Sequence, residues 1–583
     1  MDIYYLLFGN NRKNKLKLEL IDDYNNNFKL PIEYLLDKKK INDNIINDLE
    51  LKEYKSDNNT NDIIIEDNSK NIDHINHKDN LYYCLLNPKS IFEKNIVNRW
   101  SNYYTNNKDF LIDSQELLKN FKSNIDFIID DEDFSKNKFE DNILNSCENI
   151  IYDNGFIENY QYFELPFLSK YNNIPSILTG LSIYNLAAPA FSLILPIISL
   201  ILPFLIIKLQ GYNVTMESYI EHLKIVLQNH VIGQLFTNFS EASFSTKIYL
   251  ILSVFFYGFQ IYQNIYSCIK YFKNIKLIHN KLFEIREYLK ITTNKFSNLL
   301  KYTNNLKTYS EFNESIKNNN NILIKFFNEL EKINEYNVNL KKIPELGILL
   351  KTFYQINNDD ELINSLYFSF NCNGYIDNVI NIQKLIKNNK INYFEFIDNN
   401  EETYFKKSYY GNLIDNNNTI KNTYDLSNNI ILTGPNASGK TTLLKSTLFN
   451  IICSQQFGLG FYSSASINPY DHLHCYLNIP DTSGRDSLFQ AEARRCKDII
   501  QFIDEYPEKR HFCIFDELYS GTNPDDAIES ADAFIKYLSK RPVTFMLTTH
   551  YIELCNKLKS IKNVRNSCMK IISQCKMYFI KNL

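Results

Sequence analysis

The nine residues Gly434–Thr442, GPNASGKTT, carry the spacing G-x-x-x-x-G-K-[ST] of a phosphate-binding loop. The short apolar run Ile430–Thr433 precedes them and a helical stretch follows, which is the strand–loop–helix setting such a loop requires. Gly434 and Gly439 let the backbone curl, so that Gly434, Pro435, Asn436, Ala437, Ser438 and Gly439 form a cradle whose N–H groups face phosphate oxygens. Lys440 is placed to reach the β- and γ-phosphates, the Thr441 hydroxyl to ligate Mg²⁺, and Thr442 to complete the binding set at a helix N-terminus, where the partial positive charge favours an anion. The expected ligands are ATP and Mg²⁺.

A second stretch, HFCIFDELYSGTNPDD (His511–Asp526), supplies what a phosphate loop lacks on its own. Its apolar strand ends in Asp516, placed to hold Mg²⁺ together with Thr441, and in Glu517, placed to polarise an attacking water. A third strand, VTFMLTTH, ends in His550, where an imidazole can sense the γ-phosphate; Lys440, Glu517 and His550 are the expected catalytic residues. Between the two halves lies DTSGRDSLFQAEARRC (Asp481–Cys496). In machines that dimerise head to tail, this position caps the neighbour's nucleotide, and Ser487 is the residue expected to donate a hydroxyl in trans. No L-S-G-G-Q-type sequence of a transporter ATPase occurs there.

These motifs resemble the MutS family of DNA mismatch-repair ATPases. TGPNASGKTT looks like that family's T-G-P-N-x-x-G-K-S-T, with Asn436 at the position of its nucleotide-binding Asn. SGRDSLFQAE is similar to S-G-x-S-x-F-x-x-E with one extra residue before the second Ser, which aligns Ser487, Phe489 and Glu492. FDELYSGTNPDDA resembles D-E-x-x-x-G-T-x-x-x-D-[GA], and TTHY matches the T-H-Y/F at His550. The resemblance covers roughly residues 410–560. It implies a homodimer through the ATPase domains and a DNA substrate, mismatched or branched. The chain departs from the pattern at Ser464, where the family commonly has Pro. It also carries no distinctive mismatch wedge: Phe156-Ile157-Glu158, Phe312-Asn313-Glu314 and Phe327-Asn328-Glu329 all fit a Phe-x-Glu pattern too loose to mean one.

The family is soluble, whereas this chain has two uncharged runs. Ile174–Ile207 spans 34 positions without a charge and contains Pro189, Pro196 and Pro203; Ile248–Ile269 is 22 residues long, bracketed by Lys247 and Lys270. A bilayer crossing needs about 20 apolar residues, and a membrane helix tolerates proline where its freed carbonyl finds another donor. The reading is a membrane hairpin, the alternative a pair of buried or membrane-surface helices. Because ATP is cytosolic, residues 270–583 are expected on the cytosolic side. The region 270–345 reads as long helices with a seam at Ile278, Leu282, Ile285, Leu289, Thr292, Phe296 and Leu299. It carries 14 Lys+Arg against 8 Glu and no Asp, a solvated face or an arm for a polyanion.

The expected fold is therefore an α/β C-terminal P-loop ATPase domain, a mixed sheet flanked by helices, preceded by long helices and a two-helix hydrophobic hairpin. The expected division is a polar, partly disordered region 1–173 with an Asn/Asp-rich linker at Lys55–Asn80, the hairpin 174–269, a lever-like helical region 270–400 and the ATPase domain 401–583. The net charge of −4 gives no global case for nucleic-acid binding. The 11 cysteines show no CxxC pair and suit a reducing compartment. His472 and His474 alternate as on a strand, a polar face or half a metal site. The function expected is an ATP-gated dimer acting on DNA and tethered to a membrane; the alternative is an ATP-driven transporter or remodelling ATPase with no DNA substrate.

Overall fold

A computed structural model describes residues 27–52, 80–122, 133–153, 155–211, 215–229, 243–334, 343–397, 403–414, 416, 419–477, 479, 487–571 and 578–582. The stretch expected as a linker, Lys55–Asn80, lies outside them except for Asn80. Two compact units interleave along the chain: Asn142–Ile291 with Ile322–Ile363, and the residues up to Asp141 with Thr292–Asn321 and Asn364–Leu583.

The first unit is helical. Helix α1 (Pro175–Leu209) runs unbroken through its three interior prolines, α2 (Phe244–Thr303) enters the unit with its residues up to Ile291, and α3 (Ile343–Asn358) packs against the start of α1. The α1 and α3 backbones meet at Gly347, where an added Cβ would stand 2.0 Å from the Pro175 carbonyl oxygen. Pro196 has no N–H, so the carbonyl of Ser192 loses its helical partner. The Tyr257 hydroxyl of α2 donates to that carbonyl at 3.0 Å. Two further bonds tie the hairpin: Ser182 to the Tyr271 hydroxyl at 2.8 Å and the Cys268 thiol to the Leu186 carbonyl at 3.5 Å. Both helices are long and apolar enough to cross a membrane by length and composition, and the apolar windows are only 11% and 6% buried, unlike the core helix of a soluble protein. Phe156 of the first Phe-x-Glu triplet is buried among Tyr160, Tyr162 and Phe353, so it forms core and not a wedge.

The second unit is mixed α/β, with two large sheets beside a two-stranded antiparallel pair of Lys39–Lys40 and Tyr103–Tyr104. The smaller contains β1 (Asn392–Phe396), β2 (Tyr404–Ser408) and β3 (Asn422–Asp425). Next in the chain come β4 (Asn429–Thr433), β5 (Leu459–Gly460), β6 (Ser464–Ile467), β7 (His472–Tyr476), β8 (His511–Asp516), β9 (Val543–Thr548), β10 (Val564–Ile571) and β11 (Tyr578–Asn582). The larger sheet runs β11-β10-β4-β9-β8-β7, parallel except for β11, and the smaller runs β3-β2-β6-β1-β5. The central strands each carry a fully buried apolar run, Ile430–Leu432, Phe512–Phe515 and Phe545–Leu547, as a sheet covered on both faces demands. Helices α4 (Lys440–Phe457), α5 (Leu488–Glu505) and α6 (Pro524–Leu538) follow β4, β7 and β8. Every seam residue from Ile278 to Leu299 named above is buried.

The described part of residues 27–122 folds onto α4. Gln455 and Gln456, fully buried, use their amides on the backbone of Thr105, Trp100 and Tyr103, at 3.1, 2.6 and 2.6 Å. The two buried glutamines of α4 are thus satisfied by carbonyls of the N-terminal segment, as buried amides must be.

At the β7 edge, His472 stacks on His511 and His474 bonds to it at 3.1 Å. His511 Nε2 faces the Tyr506 carbonyl at 2.9 Å and so donates, leaving its Nδ1 to accept from His474. The rings lie side by side instead of converging on a point, and among the described residues no His/Cys/Asp/Glu group of three or more is arranged to hold a metal. Burial, with His511 alongside, pushes His474 down to about 3 and His472 to about 4. The folded state therefore keeps both rings neutral at a pH where the unfolded chain takes up protons, so stability is lost as pH falls below about 6.5 toward 4. Urea-unfolding midpoints at pH 7 and pH 5 should differ less in His474→Gln, which keeps a donor without titrating, than in the parent.

Candidate active site

Three neighbouring strands end in register. Leu432 of β4 pairs with Thr548 of β9, and Thr548 pairs with Asp516 of β8. The residues that follow each strand are thereby delivered to one edge of the sheet: the loop Gly434–Gly439, Glu517 and His550.

The loop curls as its composition requires. Gly439 has φ +87° and Ala437 φ +58°, both left-handed. An added Cβ at Gly434 would stand 2.9 Å from Ser438 Oγ. Ser438 Oγ is itself buried without a hydrogen-bond partner, while Pro435, Asn436, Ala437 and Thr442 are exposed around the cradle. Lys440, at the first position of α4, is 6% exposed. Its ammonium donates to the carbonyls of Gly434 at 3.1 Å and Pro435 at 3.3 Å, and lies 3.1 Å from His550 Nε2 and 4.0 Å from Glu517 Oε1. His550 Nε2 is in turn 2.8 Å from Glu517 Oε1. A cation, an imidazole and a carboxylate thus close a triangle above the loop.

Asp516 is gripped from both sides. Thr441 Oγ1 donates to its Oδ2 at 2.8 Å, and the Thr548 hydroxyl donates to its Oδ1. Glu517 leaves the strand in the left-handed region, φ +52°, with its N–H on the Thr548 carbonyl at 3.1 Å. For a residue with a Cβ that conformation costs on the order of 1 kcal/mol, and such strain gathers at functional sites. It turns the Glu517 side chain toward His550 instead of letting it alternate off the sheet.

Ser487 is placed elsewhere. It is the exposed N-cap of α5, in a capping box: its oxygen accepts from Gln490 N at 3.4 Å, and its own N–H donates to Gln490 Oε1 at 3.1 Å. Capping uses an oxygen lone pair and leaves the hydroxyl proton available. Asp481–Asp486, the rest of the expected capping loop, lie outside the described residues.

Two features have a role that the sequence did not show, although the motif had already aligned Glu492. A cavity of about 250 Å³ opens beside the loop, between Tyr409, Tyr410, Leu413 and Ile420 on one side and Ser438 and Met569 on the other. Its residues come from an Asn-interrupted segment without periodicity and from a strand far along the chain, so no local pattern announces it. Glu492 is the second. The carboxylate is buried and accepts from Ser520 N and Oγ, each at 3.0 Å, and from Gly521 N at 3.2 Å. It pins the turn that follows Glu517 to α5. Gly521 is required there, since a Cβ would meet Leu488 Cγ at 2.8 Å.

Residues 430–583 match the family model MutS domain V. A DNA mismatch repair protein MutS from Bacteroides fragilis is 33% identical over 141 residues, 24% of this chain and 16% of that protein. An Endonuclease MutS2 from Lachnoclostridium phytofermentans is 27% identical over 140 residues, 24% of this chain and 17% of the relative. A further Endonuclease MutS2, from Staphylococcus carnosus, is 30% identical over 147 residues, 24% and 18%. The chain spans about a sixth of the length of the curated relatives it matches.

Removing the buried Glu492 carboxylate takes the acceptor from three donors of the exposed Ser520–Gly521 turn. Glu492→Ala should cost about 1–3 kcal/mol and accelerate hydrogen exchange at the Ser520 and Gly521 amides more than elsewhere in the sheet.

Proposed function

Since its C-terminal region belongs to the MutS family, we propose that the chain is an ATP-hydrolysing member of that family, acting as a nucleotide-gated dimer on DNA and tethered to a membrane. The observation that carries the reading is the convergence of Lys440, His550 and Glu517 over the loop, beside an Asp516 carboxylate already bonded to Thr441.

The residues fit a nucleotide and its metal. Ser438 Oγ is buried with no partner, the loop arches over a cationic Lys440, and Thr441 and Asp516 offer hard oxygen donors 2.8 Å apart. Thr441 and Asp516 would hold Mg²⁺. When bound, the metal would neutralise phosphate charge and orient the terminal phosphate for attack. Lys440 exchanges its two loop carbonyls for phosphate oxygens. Loop N–H groups and the α4 N-terminus hold the anion. The cavity lined by Tyr409, Tyr410 and Met569 takes the nucleoside. Glu517, aimed by its left-handed backbone, orients the water. His550, against both Glu517 and Lys440, reports whether the terminal phosphate is present.

Ser487 of one chain completes the neighbour's site with its free hydroxyl proton, which makes the dimer depend on nucleotide. DNA is the substrate: mismatched duplex is suggested by the name of the mismatch repair relative, and branched duplex by the resemblance of the motifs alone. The apolar faces of α1 and α2 hold the chain in a bilayer, with residues 270–583 in the cytosol.

Lys440→Ala should abolish binding of a fluorescent ATP analogue. Glu517→Ala should keep binding and lose hydrolysis by about 10²-fold or more, accumulating an ATP-bound dimer on gel filtration; normal turnover by that variant would sink the assignment. Ser487→Ala should leave the monomer's nucleotide affinity unchanged and weaken ATP-dependent dimerisation. Stimulation of turnover by mismatched or branched duplex, against none by lipid or solutes, separates the DNA reading from a transporter. Release of the chain by alkaline carbonate without detergent would remove the membrane from the reading and leave the ATPase intact.

A further inference from the structure

The helical unit exposes large apolar side chains outside its two long helices, in a segment that is firmly held. Leu165 is 52% exposed and Phe167 68%. They sit in a tight turn: Leu168 N and Ser169 N both donate to the Leu165 carbonyl, at 2.8 and 3.0 Å, and Ser169 Oγ donates to the Pro166 carbonyl at 2.9 Å. Buried Asn172 clamps its base, accepting from Phe163 N at 2.9 Å and donating to Phe163 O at 3.0 Å. An ordered turn that presents Leu165, Pro166 and Phe167 to solvent is built to meet something apolar.

Its level along the hairpin is fixed. Gln161 Nε2 donates to Ser267 Oγ at 3.4 Å and Asn274 Nδ2 to the Asn159 carbonyl at 2.7 Å, so Asn159–Gln161, directly before the turn, lie along α2 between residues 267 and 274. Lys270 and Lys273 are on that stretch, Lys276 is a turn further, and Lys170 closes the segment; all four are exposed. Toward the apolar run, exposed Tyr262 and Tyr266 stack at 6.4 Å. Glu158 and Glu164 are the acidic residues of the segment, leaving a surplus of two positive charges. The order along α2 is apolar face, tyrosines, then lysines, with an apolar turn at the same height as the lysines. That is the sequence of environments met on leaving a bilayer through its interface.

We propose that Phe163–Tyr171 is an interfacial shelf: Leu165 and Phe167 insert at the headgroup level, and Lys170, Lys270, Lys273 and Lys276 bind anionic phospholipid headgroups. The shelf rests on the reading of α1 and α2 as membrane spans, and it adds a lipid-selective surface where that reading has only an anchor. Charge complementarity selects the lipid, because lysines at this height lie within a Debye length of the surface.

The test uses the full chain in vesicles containing lipids brominated on their acyl chains, which quench a nearby tryptophan. Trp100 is buried in the α/β unit and gives a constant background. Phe167→Trp reports the shelf, and Phe191→Trp, at an exposed position of α1, reports the span. Both should be quenched in phosphatidylcholine mixed with phosphatidylserine. In the Phe167→Trp variant, quenching there should be about twofold stronger than in phosphatidylcholine alone, fall with added salt, and lose that difference when Lys270→Glu and Lys273→Glu are added. Quenching from position 191 without quenching from position 167 would overturn the shelf and leave the spans. Quenching from neither would overturn both. Equal quenching in the two lipids, unmoved by the charge reversal, would overturn the recognition of anionic headgroups.

Discussion

The site depends on a register. Because β4, β9 and β8 pair in parallel with Leu432, Thr548 and Asp516 level, the backbone turns that leave these strands all start at one height. Parallel pairing demands crossover connections, which here are supplied by the α4, α5 and α6 regions. A slip of one residue between β8 and β9 would turn Asp516 to the other face of the sheet and separate it from both Thr441 and Thr548. The two threonines bonded to Asp516 hold that register from the outside, one from α4 and one from β9.

Lys440 is almost fully buried, yet its charge is spread over two loop carbonyls, an imidazole and a carboxylate at 4.0 Å. Glu492 is more deeply buried still and accepts three hydrogen bonds from one turn. Burying either group without those partners would cost several kcal/mol. Such contacts serve geometry more than net stability, since a buried charge repays only its own desolvation. They fix Lys440 beneath the loop and the turn after Glu517 against α5.

The phosphate loop, the strand ends and the long apolar helices were legible in the sequence because each is local: a spacing, a run, a periodicity. Ser487 was legible as a position and less so as a structure, since the capping box needs Gln490, three residues on, to be recognised as its partner. The cavity at Tyr409, Tyr410 and Met569 was not legible, because sheet pairing brings together residues roughly 160 apart in the chain. The same holds for Gln455 and Gln456. Two amides in a helix look like surface until the carbonyls of Trp100, Tyr103 and Thr105 are seen to cover them.

The hairpin poses the last physical question. A proline inside a helix forfeits a hydrogen bond and clashes with the preceding turn, at about 3 kcal/mol or more, and α1 contains three. At Pro196 the loss is answered by the Tyr257 hydroxyl on the Ser192 carbonyl. Water would satisfy that carbonyl at no structural expense, so a dedicated tyrosine matters most where water is absent. Phe191, Leu193, Ile194, Ile198, Ile201, Leu202, Leu205 and Ile206 meanwhile stand outward on the same helix. A soluble protein hides such a row against a neighbouring element, and at about 25 cal/mol per Å² its exposure to water would be a heavy penalty. Under the membrane reading proposed above, hydrocarbon would cover that row, and the Tyr257 hydroxyl would satisfy the Ser192 carbonyl where no water could reach it.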